Sequence, residues 1–389
     1  MVESQGDEMA AGKLGELRVH LRQQPVMLAL LAVLAVICFL AVTGLSRVYH
    51  AQRDFLGDRW FTRGVADLSA QHYDSAVTEF RAALLYSRDN YTYQLHLAEA
   101  LIGLKRTAEA STYLVNLWDR QPEDGLVNLE LARIAVEKGQ TEPALRYYHN
   151  AIYATWPADQ EAKRRDARLE LIAFLLRMNA RAQAESELIA LAENLGDDAS
   201  EQARVGDLFV RTLDYERAFA AYRLSLKADR HDREALAGAG LAAFELGRYP
   251  QAHRYLQSAV TADPQDKASA DLLKTTDLVL QMDPFQREIS MAQRNRIVVE
   301  AFAAAGERIK ACGSQKDSAA STSAQPTLAE SWAKMKPRVT ERGLQRDPDL
   351  VESAMDLVFN IERQTSTTCG TPAGKDMALL LIAELHERN

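Results

Sequence analysis

Residues 57–90 read GDRWFTRGVADLSAQHYDSAVTEFRAALLYSRDN, and the fold is decided by what recurs from this stretch. Trp60, Gly64, Tyr73, Ala76, Phe80 and Ala83 mark its pattern of small and large residues. Stepping along the chain by about 34 residues finds the pattern again. Residues 91–124 place Leu97, Ala98, Ala110 and Pro122 in register, and 125–158 place Leu131, Ala132, Ala144, Tyr148 and Ala151. An insertion at 159–164 shifts the phase, which resumes at 165 with Leu171 and Ala184. Gly206, Tyr215, Ala218 and Tyr222 follow in 199–232. Gly240, Gly247, Tyr249, Ala252, Ala259 and Pro264 follow in 233–266, the cleanest copy.

Each copy is expected to be two antiparallel helices. Gly64, Ala98, Ala132, Gly206 and Gly240 are small where the first helix nears the second, and Ala76, Ala110, Ala144, Ala184, Ala218 and Ala252 answer from the second. Tyr73, Phe80, Tyr148, Tyr215 and Tyr222 fill the space between copies. Pro122 and Pro264 end second helices, since proline cannot continue one. A single pair cannot bury its apolar face, so the copies must stack.

These residues and their period resemble the tetratricopeptide repeat family. Arg63 stands where the family prefers Leu, and Ile172 where it prefers Gly or Ala. The resemblance implies an all-α, right-handed solenoid of about six helix pairs over residues 57–282, closed by a capping helix at 267–282 with Lys274 and Asp277 on its polar face.

Ahead of the repeats, 25–45 read PVMLALLAVLAVICFLAVTGL, without a charge. At ~1.5 Å per residue this run spans roughly 31 Å as a helix, the thickness of a bilayer core. It is expected to be a retained transmembrane helix behind a polar segment, 1–24. A cleaved signal peptide and a buried core helix are the rivals; the run is long for a signal and no Ala-x-Ala site closes it. Lys13, Arg18 and Arg22 before it and Arg47, Arg53, Arg59 and Arg63 after it do not fix an orientation.

After the repeats, Asp283-Pro284 reads as the start of a long helix over 283–312. Residues 313–326, GSQKDSAASTSAQP, read as a flexible linker. Residues 327–389 read as three short helices, with Asp347-Pro348 marking a start. Cys312 and Cys369 each precede a glycine beside a loop. Two readings stay open: unrelated thiols, or a disulfide closing a 57-residue interval and contributing roughly 4 kcal/mol. The second implies an oxidising compartment. Cys38, in the apolar run, reads as a small hydrophobe.

A formal charge of −8 with no long basic run gives no footing for nucleic acid. The eight histidines show no metal-ligand spacing, and no phosphate loop occurs. Gly238-Ala239-Gly240 has the look of a dinucleotide fingerprint fragment but lies inside a helix. Asn90-Tyr91-Thr92 matches a glycosylation sequon by pattern, and Glu123-Asp124 and Asp197-Asp198 read as solvated turns. Cys369 with His386 is the nearest approach to a nucleophile pair, without a third member. The expectation is therefore no enzyme, no cofactor, no metal and no small-molecule substrate.

In the family, first helices line a concave groove that holds peptides. By register the resemblance places Leu95, Glu99, Ile102, Leu129, Arg133, Val136, Leu169, Ala173, Arg177, Asp207, Arg211, Leu241 and Phe244 there. The stripe lacks the Lys/Asn set with which some relatives grip a terminal carboxylate. The expected function is a membrane-anchored scaffold for protein or peptide partners, serving assembly or secretion complexes at a bacterial inner membrane with the repeats on the periplasmic side. A cytoplasm-facing recruitment adaptor and an enzyme seated in 327–389 are the alternatives.

Overall fold

The computed structural model describes residues 4–154, 156, 161–193, 195, 196, 198–313 and 327–388; for 4–26, 161 and 388 it describes the backbone only. Every regular element among the described residues is a helix. The chain forms two compact units, 1–168 and 169–389.

In the first unit, α1 (Ser4–Ser69) pairs with α2 (Tyr73–Tyr86), α3 (Tyr91–Gly103) with α4 (Thr107–Arg120), and α5 (Gly125–Glu137) with α6 (Thr141–Tyr153), before the start of α7 (Glu161–Arg177). Packing follows the small-residue logic. A β-carbon on Gly64 would stand 2.6 Å from the Phe80 ring. Ala76, Ala98, Ala110, Ala132 and Ala144 are fully buried. Leu97, Leu101, Leu114 and Leu117 join Phe80 in one core cluster.

The apolar run is not a separate element. α1 continues helical from the run through 46–56 into the first repeat, over 66 residues. From Met27 onward it is long and apolar enough to cross a membrane, with none of its apolar window buried.

The second unit holds the rest of α7, then α8 (Arg181–Ala192), α9 (Ala199–Thr212), α10 (Tyr215–Ala228), α11 (Arg233–Glu245) and α12 (Tyr249–Ala262). Ile172, larger than the family prefers, is accommodated fully buried. α7 has 17 residues, whereas α3, α5 and α11 have 13 each. The inserted residues 161–164 lengthen its first turn, and 159–160 lie outside the described residues.

Two devices recur at the repeat period. Turns inside the pairs pass through the left-handed region at Gln71, Lys105, Gly139, Asn179, Leu213 and Gly247, with φ of 61°, 59°, 67°, 58°, 68° and 71°. First helices are capped by Asn90, Asp124, Asp198, Asp232 and Asp266, whose side chains accept from Tyr93, Val127, Glu201, Ala235 and Ser269 N–H groups. Such caps satisfy amides that no helical carbonyl can reach. Asp124 and Asp198 are thus working caps and not merely solvated turn residues. The Asn90 amide of the sequon is engaged in the same way.

Beyond the repeats come α13 (Lys267–Met282), α14 (Met291–Gly313), α15 (Leu328–Met335), α16 (Glu341–Arg346), α17 (Asp349–Cys369) and α18 (Lys375–Arg388). α14 starts at Met291, eight residues after the Asp283 start expected from sequence. Asp283 instead caps the end of α13, and its side chain accepts from the Phe285 N–H in the turn that follows. An Asp-Pro pair suits a turn leaving a helix as well as one entering it. α16 had no counterpart in the sequence reading. Residues 314–326 of the expected linker lie outside the described residues.

α13 packs on α12 on one side and meets α18 and α14 on others. Val279, Met282, Val298, Phe302, Met355, Val358, Phe359, Leu379 and Ile382 form one buried cluster with Tyr249 of the last repeat. α13 is therefore covered by the tail and not left as a solvent-facing cap, and its Asp277 pairs with His253 of α12 at 3.2 Å.

Candidate partner-binding surfaces

In the first unit, the expected groove residues separate by burial. Leu95 is 8% and Leu129 2% exposed. Both are core, a correction to their placement in the groove: a first helix packs against its own second helix and against the second helix of the preceding pair, so more than one of its faces is apolar. Glu99, Ile102, Arg133 and Val136 remain partly exposed. Arg133 forms an ion pair with Glu130, one turn earlier. Between α1 and α3 the Phe61 ring stacks on Tyr93 at 4.9 Å and meets His96 edge-on at 5.0 Å. The Tyr93 hydroxyl donates to Asp58 at 2.6 Å; burial and then this carboxylate raise its pKa. The surface thus offers one carboxylate, one guanidinium and two aliphatic side chains.

In the second unit, Leu169, Ala173, Leu241 and Phe244 are partly buried, and Arg177, Asp207 and Arg211 are exposed. The Arg177 guanidinium lies over Phe174 at 5.8 Å. Asp207 accepts the hydroxyl of Tyr222 at 2.6 Å, and burial and then this bond raise the tyrosine's pKa. Phe244 meets Tyr249 edge-on at 5.6 Å and packs against the C-terminal cluster. A narrow cleft lined by Phe244, Gly247, Leu381 and Leu385 separates α18 from this edge. The last position of the expected stripe is thus partly occupied by the chain's own tail.

At the far end of that tail, the sulfurs of Cys312 and Cys369 are joined, with Cα atoms 5.7 Å apart. Arg308, one turn before Cys312, donates to the Thr365 hydroxyl at 3.3 Å and the Gly370 carbonyl at 2.7 Å. Glu362 lies nearby, fully buried, with neither carboxylate oxygen bonded among the described residues. Burial, and then Asp376, push its pKa up to about 8 against the pull of Arg308. His386 stacks on Phe285 at 4.8 Å, which employs it in packing. Among the described residues no group of His, Cys, Asp or Glu is arranged to hold a metal.

Sequence reasoning missed a third recurring device. Gln94, Asn128 and Gln202 each donate a side-chain amide to the carbonyl six residues earlier, on Arg88, Pro122 and Gly196. This latch closes the turn between one pair and the next. The signal was an amide side chain at one repeat position, hidden because Leu236 replaces it in the cleanest copy.

A family model described as tetratricopeptide repeat matches residues 61–125 and 205–267. Among curated proteins, cellulose synthase operon protein C of Komagataeibacter xylinus is 43% identical over 51 residues, which are 13% of this chain and only 4% of that protein. Among solved structures, pilF of Pseudomonas aeruginosa aligns at 16% identity over 56% of this chain and 97% of its own, with a TM-score of 0.42. The C-terminal part of a TPR repeat-containing protein from Cytophaga hutchinsonii aligns at 11% identity over 82% and 99%, with a TM-score of 0.43. The chain carries tetratricopeptide repeats, and no catalytic family is indicated.

Proposed function

We propose that this tetratricopeptide-repeat chain is a membrane-anchored scaffold that holds protein or peptide partners of an assembly or secretion complex, with its repeats on the periplasmic side of a bacterial inner membrane. The observation that carries the reading is α1, whose exposed apolar run passes without a loop into the first repeat. Such a run finds a favourable solvent in a bilayer. The first-helix residues Glu99, Ile102, Arg133 and Val136 in one unit, and Ala173, Arg177, Asp207, Arg211 and Leu241 in the other, supply the mixed surface suited to extended peptides. The joined Cys312 and Cys369 favour an oxidising space for the tail. The tail's apolar side chains are spent on the core shared with α12 and α13, which argues against an active site in 327–389.

The test is made on the full-length protein in its own cells. Carbonate washing leaves it in the membrane, protease added to spheroplasts digests the repeats, and maleimide-PEG labels Cys312 and Cys369 only after reduction. Release by carbonate removes the anchor. Digestion only in inverted vesicles, with freely labelled thiols, turns the scaffold toward the cytoplasm.

A further inference from the structure

Positions 34 apart are equivalent within the first unit, which allows one groove to be compared with the next. Between α4 and α6, Asn150 donates its side-chain amide to the Asn128 Oδ1 at 3.2 Å, and the Trp118 and Tyr147 rings meet edge-on at 6.2 Å. These contacts close the groove. Between α2 and α4 the equivalent residues are Gln94, Asn116, Leu84 and Tyr113. There the two amides do not meet. Gln94 is 8% exposed, and its Oε1 is buried with no partner. Asn116 makes no side-chain hydrogen bond among the described residues. A cavity of about 870 Å³ lies here, lined by these four with Arg81, Leu85, Arg88 and Asp89.

We propose that this cavity binds an extended peptide segment carrying an acidic side chain. A buried acceptor without a partner is costly to keep. A small turn of the Gln94 side chain brings its shielded Oε1 to the cavity, where one peptide group offers it an N–H and offers a C=O to the Asn116 amide, the two halves of the bond made in the next groove. Arg81 is already shared with Glu109 across α2 and α4. Arg88 has no side-chain partner among the described residues, and its guanidinium fork suits a carboxylate. Leu84 and Leu85, the latter 82% exposed, offer contact to an apolar neighbour on the peptide. The volume lies within the roughly 300–1,000 Å³ of small-ligand sites, room for a short extended segment. This site spans α2, α4 and the turn that leads into the first turn of α3, and it is additional to the first-helix stripe.

The experiment uses full-length protein in detergent micelles and a fluorescein-labelled, end-blocked peptide of alternating leucine and glutamate, read by anisotropy. Wild type binds it saturably. Leu84→Trp, which copies Trp118 of the closed groove, and Arg88→Glu each weaken binding by about tenfold or more, as does replacing the peptide's glutamates by glutamine. Lys138→Glu, outside the cavity, leaves binding unchanged. Leu84→Trp melts at or above the wild-type temperature because the next groove already holds that residue; if it melts lower, Arg88→Glu decides alone. No saturable binding to wild type, unchanged binding in Arg88→Glu, or equal binding of the glutamine peptide overturns the proposal.

Discussion

At Gly238 a β-carbon would stand 2.2 Å from the Tyr222 ring, and at Gly206 2.8 Å from the same ring. The glycine that looked like part of a dinucleotide fingerprint is therefore a seat for an aromatic ring. Gly238→Ala gains helix propensity of about 1 kcal/mol, but forcing the ring aside costs about 1–3 kcal/mol, so the net expectation is a lower melting temperature. A rise would show that Tyr222 yields freely. Glu362 carries a second prediction. Its carboxyl titrates near the ordinary 4.5 in the unfolded chain and near 8 in the fold. Between these values the fold keeps a proton that the unfolded chain has released. This contribution to stability is full below about pH 4.5, declines as pH rises, and is gone above about 8. Glu362→Gln should flatten that slope and stabilise the protein at pH 8 by on the order of 2–4 kcal/mol relative to wild type. Parallel wild-type and variant melting curves from pH 5 to 8 would sink the idea.

The helix caps belong to the scale of elements. Asp124 caps α5 and also accepts the Tyr91 hydroxyl at 2.9 Å, whereas Asp198 caps α9 through the Glu201 N–H. Asp124→Ala should cost roughly 1 kcal/mol for the cap plus about 1 for the tyrosine, and Asp198→Ala only the first. Chemical denaturation of the two variants gives the comparison, and equal losses would deny the tyrosine its share. The helix pairs themselves were legible because Gly64, Ala110, Ala144, Gly206 and Ala252 leave no other use for their places. The turns were not. Four of the six left-handed positions carry Gln71, Lys105, Asn179 and Leu213 in place of glycine, so packing fixes a backbone that local sequence does not announce. Asp283-Pro284 misled because an Asp caps a turn at either end of a helix. The groove was legible in part: Leu95 and Leu129 obey the register of a surface stripe, but neighbours on two sides bury them. Glu362 was invisible, being one charge in a run whose apolar spacing already sufficed to predict the helix.

On the scale of the whole molecule, the tail is structural to its unit. Removing 327–389 strips α17 and α18 from Val279, Met282, Val298 and Phe302. A protein ending at 313 should therefore expose that apolar face, bind a hydrophobic dye and aggregate; a monodisperse truncation with wild-type melting would contradict the shared core. The deletion thus cannot separate binding from folding, so loss of a partner in it says nothing about where the partner sits. At the other end, the unbroken α1 has a geometric consequence. With ~1.5 Å of rise and about 100° of turn per residue, the helix works as both ruler and crankshaft between bilayer and repeats. One alanine inserted after His50 would raise the first unit by a mere ~1.5 Å but swing its partner-facing side by about 100°; seven would lift it about 10 Å and return it close to its starting azimuth. A partner that is itself embedded in the membrane should lose contact after the first change and recover it, in large part, after the second.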